Sequence, residues 1–310
     1  MIALIFPGQG SQYLGMGKEF YENFKEVKEL FERAEALTEI PITKLCFEGP
    51  LEELTQTQNL QVCLTVVNIA CYLVLKKILE KKGIVPLFTS GHSLGEYSSL
   101  FSAEILSLED TLKAVKERGR LMEKAGEKSH SSMYAIIGLP LEELKKIIEE
   151  SQGLVVISNY NSPKQWVISG ENEALEEVVK KVKEKRVKAV KLKVSAGFHS
   201  PLMEFAEKEF SPFLDSLSWR EAKIPWVSNV TGQAEIFPEK IKTLMKKQIT
   251  SAVRWIEVVN FMFEKGASIF IEVGPKKVLS GLVSQILEGK DFKCYNVENL
   301  ETLKILESVL

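Results

Sequence analysis

One octapeptide constrains this chain more than any other stretch: Ser90-Gly91-His92-Ser93-Leu94-Gly95-Glu96-Tyr97. A short apolar run with strand character, Val85 to Thr89, leads into it, and a helical pattern follows. Gly91-x-Ser93-x-Gly95 between strand and helix is the pattern of a nucleophile elbow. The two glycines allow a sharp turn that a Cβ would obstruct. Such a turn holds the Ser93 hydroxyl at the C-terminal end of the strand. The N–H of Leu94 then opens the helix, unpaired and at its positive end, so a hydroxyl nucleophile lies beside a donor for a developing oxyanion. The competing reading is an ordinary glycine-rich strand–helix turn; the strand ahead of it favours the elbow.

The chain of 310 residues is long enough for one large domain or two modest ones. Hydrophobic residues make up 45% and charged residues 26%, as in ordinary globular chains. A net charge of −2 gives no case for nucleic acid as a bulk partner. The four cysteines form no C-x-x-C, and the three histidines cannot complete a zinc pattern, so no metal is expected and a reducing, cytoplasmic location is. Ile2 to Phe6 lacks a basic flank and stops at Pro7-Gly8, which predicts a buried strand rather than a signal peptide. The longest apolar run, Val62 to Leu75, is interrupted by Thr65 and Asn68 and is too short to span a membrane.

After the first strand, Gly8-Gln9-Gly10 forms a tight loop, and Tyr13 occupies the place of the third glycine of a dinucleotide fingerprint. Helical stripes follow at Phe20 to Ala34 and from Asn59 to Lys82. Ser107 caps a further helix carrying Leu112, Val115 and Met122 inward, with Arg118 on the same stripe. Between Met133 and Val194 the pattern runs β-α-β-β-α-β, a split βαβ arrangement. The fold expected is therefore α/β: a large domain with a parallel-sheet core, residues 1–127 and 196–310, interrupted by a small ferredoxin-like domain, residues 128–195. A late helix from Glu239 carries Ile241, Leu244, Met245, Ala252 and Trp255 inward, with Gln248 on its stripe.

A serine nucleophile needs a base. His92 adjoins Ser93 and should leave the elbow in another direction, and His130 lies in a polar interdomain stretch. His199, on a loop at a helix entrance, remains as the base. A guanidinium on an apolar stripe is costly unless it meets an anion. Arg118 either forks onto a substrate carboxylate or makes a structural ion pair or snorkels out; pattern alone leaves these open.

Six motifs, in order, resemble those of the malonyl-CoA:acyl carrier protein transacylases of type II fatty acid synthesis: Gly8-Gln9-Gly10-Ser11-Gln12, Gly91 to Tyr97, Arg118-Gly119-x-x-Met122, Asn159-x-Asn161-Ser162-Pro163, Gly197 to Met203, and Glu272-Val273-Gly274-Pro275. The resemblance covers nearly the whole chain and implies an α/β-hydrolase-like large domain. It implies Ser93 as acylated nucleophile, His199 as base, the N–H groups of Gln9 and Leu94 as oxyanion hole, and Arg118 as carboxylate binder. It further implies that Gln248 orients the histidine through a carbonyl, so that the third member is not a carboxylate. The activity implied is ping-pong transfer of malonyl from malonyl-CoA to the thiol of holo acyl carrier protein, by a monomer with no cofactor and no membrane partner. A serine thioesterase would share these residues, and a non-catalytic carrier-binding module would lack one of them. The lysine run Lys181, Lys183, Lys185, Arg186, Lys188 is either a solvated face or a place where an acidic carrier is steered.

Overall fold

Residues 1–310 are described by a computed structural model. Ten strands lie in two sheets. In chain order they are β1 (Ile2–Phe6), β2 (Phe88–Gly91), β3 (Ser131–Ile137), β4 (Val155–Ser162), β5 (Gln165–Glu171), β6 (Lys188–Lys191), β7 (Trp226–Val227), β8 (Ala234–Glu235), β9 (Ile269–Val273) and β10 (Lys293–Val297). The first sheet has the order β10-β9-β1-β2-β7-β8. Its neighbours are parallel except for the terminal β7–β8 pair. Helices cover both faces of this sheet, so β1 is buried at every position, as its unbroken apolar sequence predicts. The second sheet is antiparallel throughout, in the order β4-β5-β3-β6. Helices Leu141–Glu149 and Asn172–Glu184 pack on one of its faces around Ile136, Trp166, Ile168, Leu175 and Val178.

The expected elements are present, with shifted limits. The elbow strand begins at Phe88 rather than Val85, which is 77% exposed. Strand β4 continues through Asn161 and Ser162, because Asn159 to Ser162 pair with Gln165 to Val167. The late helix is two: Pro238–Lys247 and Trp255–Glu264, with Gln248 as the C-terminal cap of the first. The apolar run from Val62 belongs to a helix of 25 residues, Thr57–Lys81, which by length and composition could cross a bilayer. Here protein surrounds it instead, and Leu60, Leu64, Val66, Cys71 and Leu75 are all fully buried in the main core.

Parallel strands β1, β2 and β9 end on the same side of their sheet. Open parallel sheets bind ligands beyond the carboxyl ends of their strands. The loops that leave those three ends carry Gln9, Ser93 and Gly274.

Candidate active site

The turn after β2 is as tight as its glycines imply. A Cβ on Gly91 would lie 1.9 Å from the carbonyl carbon of Gly95, and one on Gly95 would lie 2.0 Å from the Phe6 carbonyl oxygen at the end of β1. Ser93 itself has φ 51°, in the sparsely populated left-handed region. Strain of this kind persists where surrounding structure enforces it. Here Asn229 does so. Its Oδ1 accepts the Ser93 N–H at 2.8 Å, and its Nδ2 donates to the Gly91 carbonyl at 2.8 Å.

Helix Gly95–Ser102 opens directly beyond the elbow. The backbone N–H groups of Leu94 and Gln9 have no protein acceptor, and both residues line the same cavity. Backbone contact brings their loops together: a Cβ on Gly8 would meet the His92 carbonyl oxygen at 2.3 Å. Asn68, which interrupts the apolar run of the long helix, donates to the Pro7 carbonyl at 3.0 Å and so pins the Gln9 loop from beneath.

His199 arrives from a different part of the chain, also at positive φ, 55°. Its Nε2 is 2.6 Å from Ser93 Oγ. Its Nδ1 faces two backbone carbonyls, those of Gln248 and Ser251, each at 3.0 Å. Two acceptors on Nδ1 place the ring hydrogen there and leave Nε2 as the acceptor for the serine proton. The carbonyls are free because the helix ends at Lys247, and the last carbonyls of a helix lack intrahelical partners. Burial, reinforced by the Arg118 charge, pushes the His199 pKa down to about 3, so the ring is neutral at pH 7.

Arg118 is fully buried on helix Leu108–Lys128, as its place on the apolar stripe requires. All three of its hydrogen-bond partners are neutral. Nε donates to Gln248 Oε1 at 3.1 Å, Nη1 to Gln61 Oε1 at 2.5 Å, and Nη2 to Ser93 Oγ at 3.3 Å. The guanidinium also stands 5.7 Å from the Tyr97 ring centroid. Neither the structural ion pair nor the escape to solvent is made.

The Gln248 side chain has its own partners. Its Nε2 donates to the Ser93 carbonyl and to Glu96 Oε2, each at 2.8 Å. Glu96 is fully buried, and its other oxygen accepts the Asn229 N–H at 2.8 Å. Burial pushes the Glu96 carboxyl up to about 8, against the opposing pull of those donors and of Arg118.

The cavity above Ser93 has a volume of about 270 Å³. The small sheet supplies one wall through Met133 and Val167, joined by Val194 beyond the end of β6, and helix Val278–Ile286 supplies another through Leu279 and Leu282. Glu272 holds that helix by accepting the N–H groups of Leu279 and Ser280 at 2.9 and 2.8 Å. Of the other histidines, His130 is exposed, and His92 turns away from Ser93 to Asn161 Oδ1 at 2.8 Å.

All six residues singled out from the sequence, Gln9, Ser93, Leu94, Arg118, His199 and Gln248, thus converge on one place. Asn229, Gln61 and the Ser251 carbonyl also belong to it and carry no role in the sequence reading. Gln61 had a signal, a polar side chain inside an apolar helix; Asn229 and Ser251 had none. An arrangement of hydroxyl, neutral imidazole, free N–H pair and unneutralised guanidinium can perform acyl transfer on a substrate bearing an anionic group.

Comparison with known proteins agrees. The acyl transferase domain family matches residues 3–305. The malonyl CoA-acyl carrier protein transacylase of Bacillus subtilis (strain 168) is 42% identical over 310 residues, covering 98% of this chain and 95% of its own. The crystal structure of the enzyme of that name from Clostridium perfringens superposes with a TM-score of 0.91 at 38% identity, covering 99% and 96% of the two chains. A malonyl-transacylase solved in complex with its type II PKS acyl-carrier protein superposes with a TM-score of 0.93 at 33% identity, covering 100% and 99%. The chain is therefore an acyltransferase and belongs to the malonyl CoA-acyl carrier protein transacylase family.

Proposed function

We propose that this enzyme moves the malonyl group of malonyl-CoA onto the phosphopantetheine thiol of acyl carrier protein through a malonyl-serine intermediate, supplying extender units for fatty acid synthesis. The observation that carries this reading is the meeting of two groups on one atom: His199 Nε2 at 2.6 Å and Arg118 Nη2 at 3.3 Å from Ser93 Oγ. The first makes the oxygen a nucleophile. The second sets a cation where the carboxylate of a three-carbon acyl group would lie.

In the first half-reaction, His199 Nε2 takes the Ser93 proton as Oγ bonds to the thioester carbonyl carbon. The N–H groups of Gln9 and Leu94 hold the resulting oxyanion. The carbon–sulfur bond then breaks, and the imidazolium returns its proton to the departing coenzyme A sulfur. In the second, His199 takes the proton of the carrier thiol, whose sulfur attacks the malonyl ester. The carbon–oxygen bond breaks and Ser93 recovers the proton. Gln248 and Ser251 stabilise the transient imidazolium through their carbonyls, the part a carboxylate takes in other triads.

The order β4-β5-β3-β6, with two helices on one face, supports reading residues 128–195 as a ferredoxin-like domain inserted into a hydrolase-like α/β domain made of residues 1–127 and 196–310. Four free cysteines, three of them buried, fit a cytoplasmic enzyme.

Intact-protein mass spectrometry after mixing with malonyl-CoA is the test. A malonyl adduct on Ser93, absent in Ser93→Ala and discharged quickly only by holo carrier protein, is expected. Discharge by water at the same rate without carrier would make the protein a thioesterase.

A further inference from the structure

We propose that Glu96 is a positioning residue that sets the malonyl preference by fixing which end of the Gln248 amide faces Arg118. The proposal rests on the reading of Arg118 as the carboxylate binder and adds to it the element that keeps the guanidinium ready.

Gln248 joins Glu96 and Arg118, which do not touch each other. Its Nε2 donates to Glu96 Oε2 at 2.8 Å, and its Oε1 accepts from Arg118 Nε at 3.1 Å. The amide has one accepting end and one donating end. Glu96 Oε2 and the Ser93 carbonyl, each at 2.8 Å, both take the NH2 group, so the oxygen turns to the arginine. Reversed, the amide would point NH2 at a guanidinium, donor against donor, inside a fully buried cluster. Glu96 therefore acts as a polarity reference for Gln248. Its grip is firm because its second oxygen is held by the Asn229 N–H at 2.8 Å, and Asn229 also holds the elbow. Arg118 Nε is thereby occupied, and the guanidinium presents the Nη2 side toward Ser93.

The groups facing this cluster come from every element around it. Ser93 and Tyr97 flank Glu96 on the elbow helix, Gln61 comes from the long helix, Arg118 from the stripe helix, and Gln248 from the late helix. Glu96 makes no ion pair; its side-chain oxygens are met by Asn229 N–H and Gln248 Nε2, so the carboxyl is not there to complete a salt bridge.

Glu96→Gln tests the proposal. A carboxamide at 96 keeps size and shape but cannot accept from both Asn229 and Gln248, so one donor meets a donor. kcat/KM for malonyl-CoA and for acetyl-CoA should be measured in wild type and variant, with thermal midpoints. The malonyl-to-acetyl ratio should fall about ten-fold, mostly through a higher KM for malonyl-CoA. A ratio within about two-fold of wild type, with only a lower thermal midpoint, would overturn the proposal and leave Glu96 structural. Should Glu96→Gln not fold, Glu96→Asp, which keeps the carboxyl but is one methylene too short to reach both partners, is read by the same ratio. A wild-type protein that does not form malonyl-Ser93, or has no malonyl preference, would instead defeat the reading of the site, a separate result obtained before any variant is made.

Discussion

Ser93 Oγ and His199 Nε2 lie 2.6 Å apart although 106 positions separate them in the chain, and both residues sit at positive φ, 51° and 55°. The contact is thus a property of two enforced turns, one held by Asn229 and one by the carbonyls of Gln248 and Ser251.

The depressed pKa of His199 gives a signed pH dependence. With a value near 3 the imidazole remains a competent base well below the range of an exposed histidine. The kcat/KM for malonyl-CoA should therefore stay level from pH 8 down to about 5. Stability moves the other way. Between the ordinary histidine value and 3, the unfolded chain binds a proton at this ring that the folded chain refuses, so stability falls as pH falls through that window. His199→Ala should lower the rate of both half-reactions by roughly two to four orders of magnitude and weaken that acid sensitivity. An acid limb near pH 6.5 in stopped-flow acylation would contradict the assignment.

Arg118→Ala should cost malonyl transfer far more than acetyl transfer. Losing a buried, hydrogen-bonded charge partner costs about 2–5 kcal/mol, or roughly thirty-fold and upward in kcat/KM. Arg118→Lys should recover only part, because an ammonium cannot reproduce the planar fork of a guanidinium. Steady-state kinetics with both thioesters decide it, and an unchanged ratio in Arg118→Ala would make the arginine structural.

Gly95→Ala should disrupt the elbow itself. The added methyl would stand 2.0 Å from the Phe6 carbonyl oxygen, a backbone atom at the end of a central strand with no freedom to retreat. Overpacking of this kind costs about 1–3 kcal/mol and sometimes more. The expected outcome is a lowered thermal midpoint together with loss of acyl-enzyme. Gly10→Ala is the control for alanine in open space, since nothing lies within 4 Å of its Cβ position. It should cost only the strain of its own positive φ.

Carrier docking should depend on a subset of the lysine run. Lys181 is paired with Glu150 and Glu177, and Lys185 with Glu143. Lys183, Arg186 and Lys188 are exposed and make no intramolecular ion pair, and Lys188 begins the strand after which Leu192 and Val194 line the cavity. Reversing Lys183, Arg186 and Lys188 to glutamate should raise the carrier KM and flatten its dependence on salt, leaving acylation by malonyl-CoA unchanged. Carrier KM measured against ionic strength is the check.

The sequence announces those parts of the site that offend local rules. Two glycines two residues either side of Ser93, an arginine on the stripe of Val115 and Met122, and a scarcity of histidines each point to their residue without knowledge of the fold. What stays hidden depends on where the backbone stops. Gln248 stands on a helical pattern that runs on to Trp255, so nothing local says that the helix ends at Lys247 and frees the carbonyls His199 uses. Asn229 follows a two-residue strand and touches the elbow only through tertiary packing. Glu96 looks like any acidic residue in the first turn of a helix, where a negative charge is favourable; its burial comes from the neighbours that close over it. The long apolar helix is read from sequence as too short to span a membrane; its 25 residues and the protein that surrounds it are known only from the fold.

Strand β1 lies between β2 and β9, so during synthesis β1 is made well before the second of its two partners, at residues 269–273. At about 5–20 residues per second, that partner follows tens of seconds later. Through that interval one edge of a wholly apolar strand has no permanent neighbour, and the loop bearing Gln9 has no fixed end to hang from. A chain that stops before residue 199 lacks the proposed base, and one that stops before β9 leaves β1 with an open edge.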